Sequence, residues 1–205
     1  MDLYFAPLAC SMATRIALYE AKAEAGFIQV DQKAKRAADE DFWAVNPMGQ
    51  VPVLRRDDGK LINENVAILS HIADRFPALG HEDRDKLLQW LAFTSTELHK
   101  PVFIPLLVES TPEAVKDYAR KTAVRPLGVL EKHFAANDTL LGHFTVADAY
   151  LVTVLNWAVR TKVVDLSPFP FVLAYFKRQF ERSSIARAFA EEVVLYEEEQ
   201  KRRAA

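Results

Sequence analysis

A proline inside a short apolar run, Val51-Pro52-Val53-Leu54, limits what this chain can build more than any other feature. Proline cannot donate a ladder hydrogen bond, so the run must open on a free edge or at a special bend. Its ring also pushes Val51 into an extended conformation. The preceding Asn46-Pro47-Met48-Gly49-Gln50 is turn-forming, because Asn-Pro initiates a turn and Gly49 accepts angles that larger residues resist. A cis bond before Pro52 would turn the main-chain N–H and C=O of Val51 away from the sheet, free to pair with an extended peptide-like ligand. A trans bond at an edge strand is the alternative and the commoner one, since only about one X-Pro bond in twenty is cis.

The elements before this stretch form a recognisable unit. Leu3-Tyr4-Phe5 reads as a short strand ended by Ala6-Pro7. Ser11 is a good helix N-cap, and Met12, Ile16, Tyr19 and Ala23 recur at helical spacing. Gly26 reads as the C-terminal stop, and Phe27 to Asp31 as a second strand. Strand–helix–strand over about thirty residues suits a parallel crossover. Cys10 falls at the strand-to-helix turn, where a helix dipole and free N–H groups favour an anion such as a thiolate. A buried cysteine is the commoner fate of this residue, but the turn position favours a functional thiol.

Downstream, Lys33, Lys35 and Arg36 form a short basic cluster of the kind usually found on a solvated face. Asp39 to Val45 reads as a short helix anchored by Phe42 and Trp43. Asp58-Gly59, between apolar runs, predicts a hairpin whose return strand is Leu61-Ile62. Val66, Leu69, Ile72, Ala73 and Phe76 follow at helical spacing, so Glu64 and Asn65 sit where that helix begins. A carboxylate there caps the helix. With the free N–H groups it would also receive an amino acid head group, the N–H groups taking its carboxylate and Glu64 its ammonium.

The order β-α-β-α-β-β-α is thioredoxin-like. Together with Ala9-Cys10-Ser11, Asn46-Pro47, Gly49-Gln50-Val51-Pro52 and Glu64-Asn65-Val66-Ala67-Ile68, it resembles the cytosolic glutathione transferases, and the bacterial beta class most of all. Pro77-Ala78-Leu79-Gly80 reads as a linker, and everything after it as helix. Glu82 to His99 is one long helical stretch, after which Pro101 and Pro105 break or kink the chain. Its end, Glu97-Leu98-His99-Lys100, resembles a segment of the same class. Thr111-Pro112-Glu113 starts the next helix, within which Pro126 predicts a kink. Thr145 and Asp148 are spaced as a capping box, with Phe144 as its staple. The helix after them is apolar nearly all round and should be central. Two amphipathic helices, Phe171 to Phe180 and Ile185 to Leu195, precede a charged tail, 197–205, expected to fray.

Composition sets the bounds. The chain has 205 residues, a net charge of −2 and a single cysteine. The charge gives no electrostatic footprint for nucleic acid or an anionic membrane, and no apolar run reaches the ~18 residues of a membrane span. One cysteine permits no intramolecular disulfide, which points to the cytoplasm, although a secreted protein without disulfides would look the same.

The resemblance implies a thioredoxin-like glutathione-binding domain over residues 1–76, a linker at 77–81 and an all-helical domain over 82–205. It implies a homodimer that conjugates the thiolate of glutathione, its co-substrate, to a small hydrophobic electrophile in detoxification, without a metal. Cys10-dependent thiol–disulfide or reductive chemistry is also implied. Val51, beside Gln50 and Pro52, would pair through its backbone with the cysteinyl unit. Glu64 and Asn65 would hold the γ-glutamyl head, and Lys35 the glycyl carboxylate. Cys10 and His99 would lie near the sulfur, with Ser11 as a further donor. Phe103, Leu106 and Trp157 are candidates for the electrophile's pocket. Three departures stand out: Asn65 for the usual Ser or Gly, Leu8 for the glycine of Pro-Gly-Ala, and Ala92 for an asparagine. The alternatives are a non-catalytic binding module on this fold, or a specialised glutathione-dependent lyase or dehalogenase.

Overall fold

The computed structural model describes residues 1–204; Ala205 lies outside them. Strand β1 (Asp2–Phe5) leads through helix α1 (Met12–Glu20) to β2 (Gly26–Asp31), which pairs with β1 in parallel. A small hairpin, β3 (Arg36–Ala37) and β4 (Glu40–Asp41), extends the sheet beyond β2. Then come α2 (Phe42–Val45), the antiparallel pair β5 (Val53–Arg55) and β6 (Leu61–Asn63), and α3 (Asn65–Arg75). The sheet order is β4-β3-β2-β1-β5-β6. Alternation along β1 sends Leu3 and Phe5 to the main core and Tyr4 to a smaller cluster with Val30, Phe42 and Val53.

Local chemistry corrects several expectations. The β3–β4 hairpin replaces the start of the expected helix at Asp39, and Asp41 caps α2 by accepting from Trp43 N–H at 3.1 Å. Strands of two residues are too short to leave a periodic signal. Gly26 does not stop α1; it opens β2, where a Cβ would meet Asp2 Oδ1 at 2.4 Å. The stop is Lys22, at φ +52, with Ala23 N–H donating to Leu18 C=O and Lys22 N–H to Tyr19 C=O, both at 3.0 Å. This is a Schellman motif with lysine where glycine is usual.

The second half is helical. A 3-10 turn, Pro77–Leu79, leads to α4 (Arg84–Phe93). Pro101 sits inside a continuous helical segment and does not break it. The coil widens into a π-helix over Thr94–Phe103, then narrows into α5 (Ile104–Leu107). A π-turn bonds i to i+5, which accommodates the N–H that Pro101 lacks and moves its ring away from the carbonyl four residues back. Helix α6 (Glu113–Phe134) is a single element with Pro126 buried inside it. Helix α7 (Val146–Thr161) is buried from Val146 to Ala158 and packs on α1, while α8 (Pro170–Phe180) lies against α6. Helix α9 (Ser183–Ala204) packs on α1 and continues through the tail that was expected to fray. Gln29 donates to Glu199 in that tail at 3.3 Å. Among the described residues no helix is long and apolar enough to cross a membrane.

Candidate active site

A cleft of about 190 Å³ opens between the sheet end and the helical half. Its walls come from the Cys10 turn, the loop around Gln50, Val51 and Pro52, the start of α3 at Glu64 and Asn65, and the π-helix with Ser95, His99 and Lys100. Tyr150 of α7 closes it.

The Val51–Pro52 bond is cis. Val51 precedes β5 and takes no part in the strand ladders. Its carbonyl accepts from the Cys10 thiol at 3.4 Å. Lys35 Nζ steadies the approach by donating to Gly49 C=O at 2.8 Å, and Asn46 Nδ2 donates to Gln50 C=O at 2.6 Å. Across the cleft, Glu64 is exposed with φ +68, a strained conformation for a residue with a Cβ. Asn65 is buried and its side chain is committed elsewhere: Nδ2 donates to Cys10 C=O at 2.8 Å, and Oδ1 accepts from Thr14 at 3.3 Å. It therefore ties α3 and α1 to the Cys10 turn.

The titratable groups at the floor are held neutral. Burial pushes the Cys10 thiol up to about 12, against the opposing pull of the Lys100 ammonium. Desolvation here opposes the helix N-terminus, which by itself favours a thiolate. Burial, helped by Lys100, lowers His99 to about 4. Its Nδ1 lies 2.7 Å from the Tyr150 hydroxyl. Burial raises Tyr150 well above the ordinary phenol value, so the phenol and the imidazole that meet here are both neutral. The tautomer with Nδ1 accepting from Tyr150 carries its proton on Nε2.

Cys10, Gln50, Val51, Pro52, Glu64, Asn65 and His99 all reach this cleft. Lys35 does not line it; its ammonium is spent on Gly49 and Gln32. Ser11 is wholly buried, makes no side-chain cap, and exchanges hydrogen bonds with Ala6 N–H and C=O at 3.3 and 3.2 Å. Phe103, Leu106 and Trp157 are core residues outside the lining. Phe103 packs its ring on Trp157, whose indole N–H donates to Leu8 C=O at 2.8 Å. Their spacing marked an apolar helical face, which the core claimed first. Ser95, Lys100 and Tyr150 line the cleft without having been singled out as site residues. A tyrosine in an otherwise apolar helix needs a partner for its hydroxyl, and that signal was present in the sequence. Ala92, one of the three departures, is exposed near the end of α4. Among the described residues no cluster of side chains suits a metal ion.

Two family models match the chain: "Glutathione S-transferase, N-terminal domain" over residues 1–74 and "Glutathione S-transferase, C-terminal domain" over residues 76–183. The chain is 37% identical to glutathione S-transferase GstA of Escherichia coli O157:H7 over 200 residues, covering 94% of this chain and 98% of that one. Its fold is similar to that of a sphingomonad glutathione S-transferase solved in complex with glutathione, with TM-score 0.88, 37% identity, and 94% and 98% of the two chains covered. It is equally similar to the beta-class enzyme of Sphingomonas chungbukensis, with TM-score 0.88, 36% identity and the same coverage. A thioredoxin-like half, a helical half, a cleft between them and these matches along most of the sequence lead to one conclusion: the chain belongs to the glutathione S-transferase family, and resembles its bacterial beta class.

Proposed function

We propose that this protein is a glutathione transferase that joins the glutathione thiolate to small hydrophobic electrophiles in the cleft. The observation that carries this reading is the convergence on one cleft of the Val51 backbone, which lies outside the strand ladders, the start of α3 at Glu64 and Asn65, and the Cys10 and His99 side chains. Val51 offers an extended edge to the cysteinyl unit. The Glu64 carboxylate and the α3 N-terminus suit the ammonium and carboxylate of the γ-glutamyl head. Gln50 lies toward the glycyl end, with Lys35 holding the loop behind it through Gly49 C=O. Residues 1–76 carry glutathione, 77–81 link, and the helical part from 82 onward carries the electrophile; the active form is a cytoplasmic homodimer.

With its pKa pushed up to about 12, Cys10 is a poor attacking thiolate at neutral pH but an S–H donor, whose hydrogen now goes to Val51 C=O over a long 3.4 Å. We assign it that role toward the glutathione sulfur, beside the Nε2–H of His99. The Lys100 ammonium adds positive charge where the thiolate forms. A titration of glutathione by calorimetry and an aryl-halide conjugation assay, on wild type and Cys10→Ala, test this reading. Both proteins are expected to bind. Loss of one neutral donor is expected to slow conjugation about fivefold, the equivalent of roughly 1 kcal/mol. A loss beyond a hundredfold would show that Cys10 does more than donate one hydrogen bond. The second reading, in which the Cys10 thiolate attacks a glutathione disulfide, forms a mixed disulfide and releases one glutathione thiolate, is supported by the partly exposed Cys10 in the cleft and is tested with that disulfide as the substrate. No binding at millimolar glutathione would remove the transferase reading.

Gly49 offers a further check on the loop. It sits at φ +59, and a Cβ there would lie 2.7 Å from the Trp43 ring. Gly49→Ala is expected to cost about 1–3 kcal/mol of stability in denaturant unfolding and to weaken glutathione binding, because Gln50 and Val51 must shift. Unchanged values for both would mean that the loop is not held by this contact.

A further inference from the structure

The turn bearing Cys10 is gripped from the C-terminal helices. Leu8 sits at φ +60, a left-handed conformation that a side-chain-bearing residue enters only at a cost. Two hydrogen bonds hold it there. Its N–H donates to Glu192 Oε2 at 2.6 Å, and its C=O accepts from Trp157 Nε1 at 2.8 Å. Glu192 lies on α9, near the far end of the sequence, and its side chain is wholly buried. Its other oxygen faces Arg15 Nε of α1 at 3.2 Å. Arg15 is itself buried between the Phe5 and Phe27 rings, at 4.1 and 4.4 Å, and its Nη1 meets Glu191 at 3.2 Å. Tyr19 and Arg187 complete the charged neighbourhood through Glu191.

A buried carboxylate–guanidinium pair is a weak source of stability, since desolvation offsets much of the attraction. Here the carboxylate aims a second lone pair at one backbone N–H, two residues before Cys10. We infer that Glu192, with Trp157, is a positioning residue: the two bonds fix Leu8 in its left-handed conformation and so set where the Cys10 thiol meets the glutathione sulfur. The inference rests on reading the cleft as the glutathione site. It also gives Leu8 a physical account: where glycine would take this φ freely, leucine needs a clamp.

The test uses the sole cysteine as its own reporter. Cys10 alkylation by iodoacetamide is followed by mass spectrometry without glutathione, and KM for glutathione is measured separately, on Glu192→Ala, Glu192→Gln and Trp157→Phe. In Glu192→Ala the turn loosens, water reaches the thiol and its pKa falls from about 12 toward the ordinary value. Alkylation is expected to quicken about tenfold and KM to rise about tenfold, the scale of one charge-assisted hydrogen bond. Glu192→Gln keeps an acceptor oxygen and is expected to stay within about threefold of wild type. Adding Leu8→Gly to Glu192→Ala is expected to return KM toward wild type, a rescue that a merely structural pair would not show. A folded Glu192→Ala with unchanged alkylation and KM overturns the inference. If that variant fails to fold, Trp157→Phe carries the test, since it removes only the indole donor and keeps a ring. If wild type binds no glutathione, the functional reading fails while the alkylation rates still decide whether the clamp exists.

Discussion

Replacing Asp148 with alanine is expected to cost about 4 kcal/mol of folding stability, the largest effect of any single substitution considered for this chain. The carboxylate is fully buried at the start of α7. It accepts from Leu140 N–H at 3.0 Å, Thr145 N–H at 2.9 Å, Thr145 Oγ at 3.0 Å and the Tyr175 hydroxyl at 3.0 Å. Alanine would strand two backbone donors and a phenol inside the core, each at about 1–3 kcal/mol, and leave a cavity besides. Some of the loss is returned, because burial raises the Asp148 carboxyl above its ordinary pKa and the charge is itself costly there. Urea unfolding at fixed protein concentration measures the change as a shift of midpoint at constant slope. A loss under 1 kcal/mol would show that the four bonds contribute little.

The second large effect is a change in pH dependence. Burial raises the Glu192 carboxyl from 4.5 to about 7, in spite of Arg15. Between those values the folded chain holds a proton that the unfolded chain has released. The group's contribution is therefore fully present below pH 4.5 and is lost as pH rises through 7. His99 runs the other way. Burial lowers it from 6.5 to about 4, so the unfolded chain takes up a proton in that window. Its contribution is present above pH 6.5 and is lost as pH falls through 4. At 1.36 kcal/mol per pH unit each group is worth roughly 3 kcal/mol, with opposite sign over nearly the same range. In wild type the two largely cancel. Glu192→Gln removes one of them, so the stability of the variant relative to wild type is expected to move in its favour by about 3 kcal/mol from pH 4.5 to pH 8. Denaturant midpoints across that range measure it. A difference that does not change with pH would mean that Glu192 titrates near its unfolded value.

Some of this architecture was legible because certain residues admit few environments. Pro52 after a turn and before Val53-Leu54 demanded a free edge or a special bend, and the chain takes the bend, since β5 lies between β1 and β6 and Pro52 stands just outside it; Thr145 with Asp148 announced a helix start with a capping carboxylate. The cleft residues contributed by backbone position, Val51, Glu64 and Asn65, were legible for the same reason. What escaped depended on tertiary context. Two-residue strands carry no period, so the β3–β4 hairpin was invisible. Lys22 closes α1 where a glycine four residues later looked the better stop, because packing overrode the preference for Gly at a left-handed cap. Ser11 looked like a cap, yet its hydroxyl found Ala6 first. Phe103, Leu106 and Trp157 show that an apolar helical face does not reveal whether its cover is a ligand or another helix.

The π-helix at Thr94–Phe103 has a consequence for chain length. In an α-helix each residue advances about 100°, so Ser95, His99 and Lys100 would spread over roughly 140° of the helix face. At roughly 4.4 residues per π-turn they gather within about 80°, and all three line the cleft. The widened coil is a phase shifter: it re-aims the downstream side chains without changing the helix axis. Substitutions here alter what is presented, whereas the same residues wound as an α-helix would carry the ammonium of Lys100 to about 140° from Ser95; with one residue fewer between them, an α-helix would keep the two within about 40°. In this stretch the count of residues is as much a functional parameter as their identity.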